Sequence, residues 1–341
     1  MTMSPHRQAL HPCGLPSALE SFSTVPGQAA VVTPSEYDRF HTMPKIRIGP
    51  AGWSYKDWEG VVYPQKPGAK FDPLTFLAKF FDTIEINSSF YRPPAATSAK
   101  AWARRVADNP AFRFTAKLHR VFTHERGNET NDDEKTFREG IDPLAESGKL
   151  GALLLQFPWS FKNTDEERAY LIKLIDRFKD YPLVIEVRHA SWNNPATYEE
   201  LEKREVGICN IDQPIFKKSI RPSALATSTL GYVRLHGRNY QNWFREEAVR
   251  DERYNYLYSV DELQPWIVRV KEIAKQSKET YVITNNHFLG KAVVNALEIK
   301  STLEERLVPA PLPLFEKYPQ LADSATPEKA SPDSSEPTLF S

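Results

Sequence analysis

The sequence has no excess of either charge. Lys and Arg total 44 and Asp and Glu total 44, so the formal net charge is zero. No global field draws the protein to nucleic acid or to an acidic membrane, although a local basic groove is not ruled out. Cysteine is scarce as well. Cys13 and Cys209 are its two cysteines, and they lie far apart in different kinds of segment. A disulfide framework is therefore not expected, and a reducing cytoplasm is the expected setting. No apolar run approaches the roughly 20 residues that a membrane helix needs. The first twenty residues lack the apolar stretch of a signal peptide. No Gly-x-Gly-x-x-Gly follows a strand, which argues against a dinucleotide-binding fold. No internal repeat is present.

The middle of the chain is richly patterned. Residues 1–44 show neither strand alternation nor a helical stripe, and they read as a poorly structured extension with Met43 as a candidate start. Residues 309–341 are rich in Pro, Ser, Ala and charge and read as a largely disordered tail. Between them, residues 45–308 hold eight short apolar runs: 45–50, 82–87, 112–117, 151–157, 183–188, 206–212, 231–237 and 280–286. Helical signals separate many of them. Thr164 and Glu167 stand at capping-box spacing before the stripe Leu171, Leu174, Ile175 and Phe178. Ser259 and Glu262 precede Leu263, Trp266, Ile267 and Val270 in the same way, and Val293, Ala296 and Leu297 mark a last helix. Strands alternating with helices predict a parallel sheet, and eight of them predict an α/β eight-stranded TIM-like (β/α)8 barrel. An open doubly wound sheet is the second choice.

The run "VIEVRHASW" at 184–192 places Glu186 and Arg188 two apart, hence on one face of a strand that is otherwise apolar. The pattern recurs at other strand ends: Glu85 with Asn87, Thr115 with Lys117, Asn210 with Asp212, Arg234 with His236, and Thr284 with Asn286. Gln156 ends its strand alone. In a barrel the shared face can be the lumen, whose carboxyl end is where active sites form. Glu85, Lys117, Gln156, Glu186, Asp212, His236 and Asn286 are expected to converge there. A buried ion network with no ligand is the competing explanation, but desolvating so many charges costs several kcal/mol each unless something offsets it.

These residues sit within "GPAGWSYKDWEGVVYP" (49–64), "FDTIEINSSFYRPP" (81–94), "FRFTAKLHRVFTHE" (112–125), "LGALLLQFPWSF" (150–161), "VIEVRHASW", "NIDQP" (210–214), "YVRLHGR" (232–238) and "VITNNHFLGKAVVNA" (282–296). Together and in this order, the segments resemble the domain-of-unknown-function 72 family, the YecE-like proteins. The resemblance covers about 45–305 and implies an eight-stranded α/β barrel. It supplies no reaction, and fold alone does not settle one.

The leading expectation from the residues is an enzyme acting on a small polar anion by acid–base chemistry. Glu186 and His236 are the candidate base and acid, in either order, with Asp212, Lys117 and Glu85 as further catalytic candidates. Lys117, Arg188 and Arg234 are candidate anion binders, assisted by backbone N–H groups around Gly49 and Gly52. Asn87, Gln156 and Asn286 are assigned to ligand hydroxyls, and Trp53, Tyr91 and Trp192 to ring stacking, with Tyr55 and Tyr240 as further stacking candidates. His119, His124, His189 and His287 are alternative acid–base groups, of which His189 is expected to cap or pack. Lys117 also raises Schiff-base chemistry. No cofactor is expected. A divalent-metal isomerase or phosphodiesterase-like enzyme using Glu85, Glu186, Asp212 and His236 is the first alternative, and Arg188 and Arg234 would compete with its dication. A non-catalytic protein that binds a ligand or nucleic acid is the second. No Gly-x-Ser-x-Gly elbow is present to suggest a serine hydrolase.

Overall fold

The computed structural model of the chain describes residues 45–241, 243 and 250–328. The extension 1–44 and residues 329–341 lie outside them. Eight strands form one parallel sheet: β1 (Lys45–Pro50), β2 (Thr83–Ile86), β3 (Arg113–Lys117), β4 (Leu150–Gln156), β5 (Leu183–Glu186), β6 (Gly207–Asp212), β7 (Leu230–Leu235) and β8 (Glu279–Thr284). Their order is β1-β8-β7-β6-β5-β4-β3-β2, so from β2 onward each strand neighbours its sequence successor, and β1 pairs with β8. The β1–β2 seam is closed by an Ala51–Glu85 bridge and by Gly52 N–H donating to Glu85 O at 2.8 Å. Gly49 makes that seam possible, because a Cβ there would lie 1.8 Å from Thr83 O. The result is a TIM-like barrel. All eight apolar runs became its strands, shifted by at most two residues at either end.

The helices form where caps and stripes predict them. They are α1 (Pro73–Leu77), α2 (Ala96–Arg105), α3 (Asn131–Glu146), α4 (Asp165–Phe178), α5 (Pro195–Lys203), α6 (Val260–Gln276) and α7 (Lys291–Glu304). Thr164 Oγ1 accepts from Glu167 N, and Ser259 with Glu262 forms a full reciprocal capping box. The stripes of α4 and α6 are buried against the barrel. One unit of the (β/α) pattern is missing its helix: residues 213–229 join β6 to β7 as irregular chain. None of the described helices is long and apolar enough to cross a membrane.

The tail reading needs correction as far as residue 328. After α7 the chain forms β9 (Val308–Pro311), α8 (Leu314–Lys317), a 3-10 turn and β10 (Ala325–Glu328), with β9 and β10 paired in parallel. Val308, Ala310, Leu314 and Leu321 are fully buried here. Average composition hid them, because a few well-spaced apolar residues suffice to dock a short segment while prolines dominate the count. Pro309 and Pro311 lie in a two-stranded ribbon, where edge positions tolerate a missing donor.

Candidate functional site

Strand parity decides which side chains see the lumen. Glu85, Lys117, Gln156, Glu186, Arg188, Arg234 and His236 all point inward at the carboxyl end, as do Asn87 and Asn285 beyond β2 and β8. Arg234 lies between two carboxylates, donating at 2.7 Å to Glu85 and at 2.6 Å to Glu186. Arg188 donates to the other Glu186 oxygen at 2.8 and 3.1 Å. Tyr232 OH donates to Glu85 at 3.0 Å. Two acids therefore alternate with two guanidinium groups, and Glu85, Glu186 and Arg234 are essentially solvent-free. Burial alone would raise the Glu186 pKa, but the flanking Arg234 and Arg188 hold it well below the usual carboxylate range.

His236 is fully buried in the same layer, and burial pushes its pKa down to about 3. Its imidazole is neutral at pH 7. Asn285 donates to Nδ1 at 3.0 Å while its own oxygen accepts from Asn87 at 3.4 Å. Nε2 then carries the proton and faces Glu186 at 3.3 Å. Glu85, Glu186, Arg234 and His236 thus form a floor beneath the cavity rather than its lining.

Above the floor lies a cleft of two lobes. The larger, about 450 Å³, is lined by Trp53, Tyr55, Asn87, Tyr91, Trp102, Asn285 and His287 among others. The smaller, about 280 Å³, is lined by His124, Gln156, Arg188, Gln213, Trp243 and Arg253 among others. Lys117, Tyr91 and Tyr254 belong to both. Lys117 Nζ sits 4.2 Å from the centroid of the Phe90 ring and has no ion pair among the described residues, since the nearby carboxylates are taken by arginines. Burial, reinforced by Arg234, lowers its pKa to about 7. Gln213 accepts from Arg188 Nη1 at 3.4 Å, and its own buried Nε2 lacks a protein partner among the described residues.

Several sequence assignments fall on the wrong face. Asp212 points outward between barrel and helices, where it accepts from Arg238 at 2.9 and 2.6 Å, from Tyr258 OH at 3.0 Å and from Trp266 Nε1 at 2.5 Å. Asn286 also points outward, donating to Tyr256 O and to Asn295, both at 2.8 Å. The inward residues at those ends are Gln213 and Asn285, which sequence reasoning missed. Trp192 is buried, stacks on Phe161 and donates to its carbonyl, so it braces a loop. The Gly52 N–H is spent on the β1–β2 seam and does not face an anion. His189 caps a turn through Ser191 N, as expected. His287 stacks on Tyr55 at 4.4 Å instead of capping α7. His119 contacts Tyr91 O at 3.3 Å, and Tyr240 packs on Phe216. The acids Glu85, Glu186 and Asp212 with His236 do not assemble, because Asp212 faces the other way. No group of three metal-ligating side chains occurs among the described residues.

Residues 47–316 match the family model described as protein of unknown function DUF72. The chain belongs to the DUF72 family. It is 30% identical over 287 residues to the UPF0759 protein YunF of Bacillus subtilis strain 168, covering 79% of this chain and all of that protein. A DUF72 family crystal structure from Thermotoga maritima shares 35% identity at a TM-score of 0.67 over 76% of this chain and 99% of its own. A second, from Enterococcus faecalis V583, shares 26% identity at a TM-score of 0.65 over 77% and 99%. These likenesses support the barrel of this DUF72 protein and leave its chemistry to be argued from the cleft.

Proposed function

We propose that this DUF72 protein is an enzyme acting on a small anionic molecule that bears a phosphate or carboxylate, by proton transfer at the carboxyl end of the barrel. The observation that carries this reading is the unequal treatment of charge in one cleft. The floor is neutralised as Glu85–Arg234–Glu186–Arg188, while Lys117 above it has no carboxylate partner among the described residues. Arg188 has five N–H donors. Nε goes to Glu186, one Nη2 hydrogen to Glu186 and one Nη1 hydrogen to Gln213, while the second Nη2 hydrogen lies beside His236 Nε2, which carries its own proton and does not accept it. One Nη1 hydrogen remains on a side chain that lines the smaller lobe, and the unpartnered Gln213 amide adds a second donor there. The roles shift accordingly. Arg188 and Gln213 hold the anion, and Lys117, near half-deprotonated at pH 7, takes and returns the proton. Glu186 and His236 position Arg188 from below instead of acting as base and acid. The aromatic larger lobe takes the uncharged body of the substrate. A cytoplasmic setting belongs to the same proposal and rests on Cys209 being a free, buried thiol.

Calorimetric titration of phosphate, sulfate and sugar phosphates into wild type and Arg188→Met tests the anion half. Loss of one charge-assisted contact predicts binding about tenfold weaker in the variant. Equal, negligible heats in both would remove the reading. Solvent deuterium wash-in to a panel of small carboxylates and phosphates, followed by NMR, tests the proton-transfer half. Anion binding without any wash-in would mark a binding protein instead.

A further inference from the structure

The least explained group in the molecule is the Lys117 amine. Its backbone is pinned: Lys117 N–H donates to Ser89 Oγ at 3.2 Å, and Ser89 Oγ donates to Lys117 O at 2.8 Å. The side chain rises from the end of β3 into the junction of both lobes and lies against the face of Phe90. The charged groups around it are Arg234, Arg188, Glu85 and Glu186, and the acids among them are engaged elsewhere. A lysine that serves as an ion-pair partner needs a carboxylate within about 4 Å, and this one has none among the described residues. A lysine that only anchors a phosphate works best fully charged, whereas burial beside Arg234 lowers the pKa of this one to about 7 and leaves a share of neutral amine at pH 7. A desolvated amine beside fixed cations is the arrangement that makes lysine a nucleophile.

We infer that Lys117 forms a Schiff base with a substrate that carries both a carbonyl and an anionic group, as in a 2-oxo acid. The inference rests on the anion reading of the same cleft, with Arg188 holding the carboxylate or phosphate. In the first step the Nζ lone pair bonds to the carbonyl carbon, and the carbonyl π pair moves to oxygen. A proton passes from nitrogen to that oxygen, giving a carbinolamine. A second proton from solvent then converts the hydroxyl to departing water, and the nitrogen lone pair closes the C=N bond. The sum is amine plus carbonyl plus one proton, giving an iminium and one water, with no redox change. The iminium acidifies the adjacent C–H, and because the Lys117 nitrogen then has no lone pair, the proton goes to another group of the cleft instead of to Lys117. His124, in the smaller lobe and lowered to about 4 by burial, is a neutral base within the same cavity.

The full-length protein is incubated at pH 7 with sodium cyanoborohydride and either pyruvate or hydroxyacetone, a neutral carbonyl of similar size. Peptide mass spectrometry locates the reduced adduct. The expected result is one adduct per chain on the Lys117 peptide, formed about tenfold faster with pyruvate, the factor that one charge-assisted contact supplies. In Arg188→Met the Lys117 adduct persists and the advantage of pyruvate disappears. Lys117→Arg loses the adduct while keeping a positive side chain. Because the label is located in wild type, the result does not depend on any variant folding. Adducts spread over surface lysines with Lys117 unmodified would overturn the inference. Sulfate titration separates the two levels. Sulfate binding with Lys117 unlabelled defeats the covalent step and leaves the anion reading standing, whereas neither binding nor label defeats both.

Discussion

The carboxyl end of this barrel carries two polar layers, and they are built differently. The outer layer, between strands and helices, pairs its charges within the protein, although Asn286 Oδ1 has no partner among the described residues. Asp212 accepts four hydrogen bonds from Arg238, Tyr258 and Trp266, and Asn286 ties to Asn295 on α7. The inner layer closes only its lower part. Glu85, Arg234, Glu186 and His236 pair with one another, with Arg234 Nε left over, while Lys117, Gln213 and part of Arg188 are left to the cleft. Residue type does not distinguish the layers, since both contain acids, arginines and amides. What distinguishes them is whether each charged group has an opposite charge beside it and whether the polar atoms left over face a cavity. A complete set stabilises the barrel, and an incomplete one at a cavity is where a ligand completes it.

The largest effect that would test this contrast is at Asp212. Asp212→Ala strands the buried Tyr258 and Trp266 donors and takes one of two carboxylates from the partly exposed Arg238, and is expected to cost about 3–5 kcal/mol in urea unfolding. Sulfate affinity of the molecules that remain folded should not change. A loss of affinity with little loss of stability would reverse the two layers. Arg234→Met comes next. It leaves Glu85 and Glu186 facing each other without their shared cation, and its cost should approach that of Asp212→Ala. Pairing it with Glu186→Gln should recover part of that loss, because an unpaired buried charge costs more than a missing pair. Arg188→Met is smaller, about 1–2 kcal/mol, since Arg188 is partly exposed and Glu186 keeps Arg234. Here the signature is weaker anion binding, not unfolding.

The last tests concern the shape of the stability curve with pH, and their signs follow from the direction of each shift. His236 falls from 6.5 to about 3 on folding, so between those values the unfolded chain binds the extra proton. Its contribution is complete above pH 6.5 and is lost as pH falls toward 3, and His236→Gln should flatten that part of the wild-type curve. Lys117 falls from 10.5 to about 7, so its contribution is complete above 10.5 and lost as pH falls toward 7. The stability of wild type relative to Lys117→Met should therefore rise between pH 7 and 10. A difference independent of pH would place Lys117 among the fully charged lysines and dissolve the contrast between floor and cleft.

How far the sequence could be read varies by residue. Glu85, Glu186, Arg188, Arg234 and His236 were legible as a lumen set because their strands carry polar residues on one face only at the carboxyl end. At β6 and β8 the polar residues come in consecutive runs, Asp212-Gln213 and Asn285-Asn286. Either parity then gives a polar strand end, and the wrong member was assigned in each. Trp192 looked like a stacking platform because a tryptophan after a strand end is read the same way whether it lines a cleft or braces a loop. The docked segment 308–328 was masked by its prolines.

By itself the sequence determined the eight strands, their alternation with capped helices and the gathering of polar residues at strand ends. Those features are local, written in periods of 2 and 3.6 and in side chains that reach their own backbone. Only the tertiary structure decided which polar residue faces the lumen and which acid each arginine neutralises. A parallel strand buried on both faces offers no contrast of wet and dry sides to set its parity. Pairing depends on distances across the barrel, as when Arg234 meets Glu85 from 149 residues away. Lys117 is left without an acid among the described residues because closure of the barrel brings Arg234 between both nearby carboxylates and Arg188 adds to one of them.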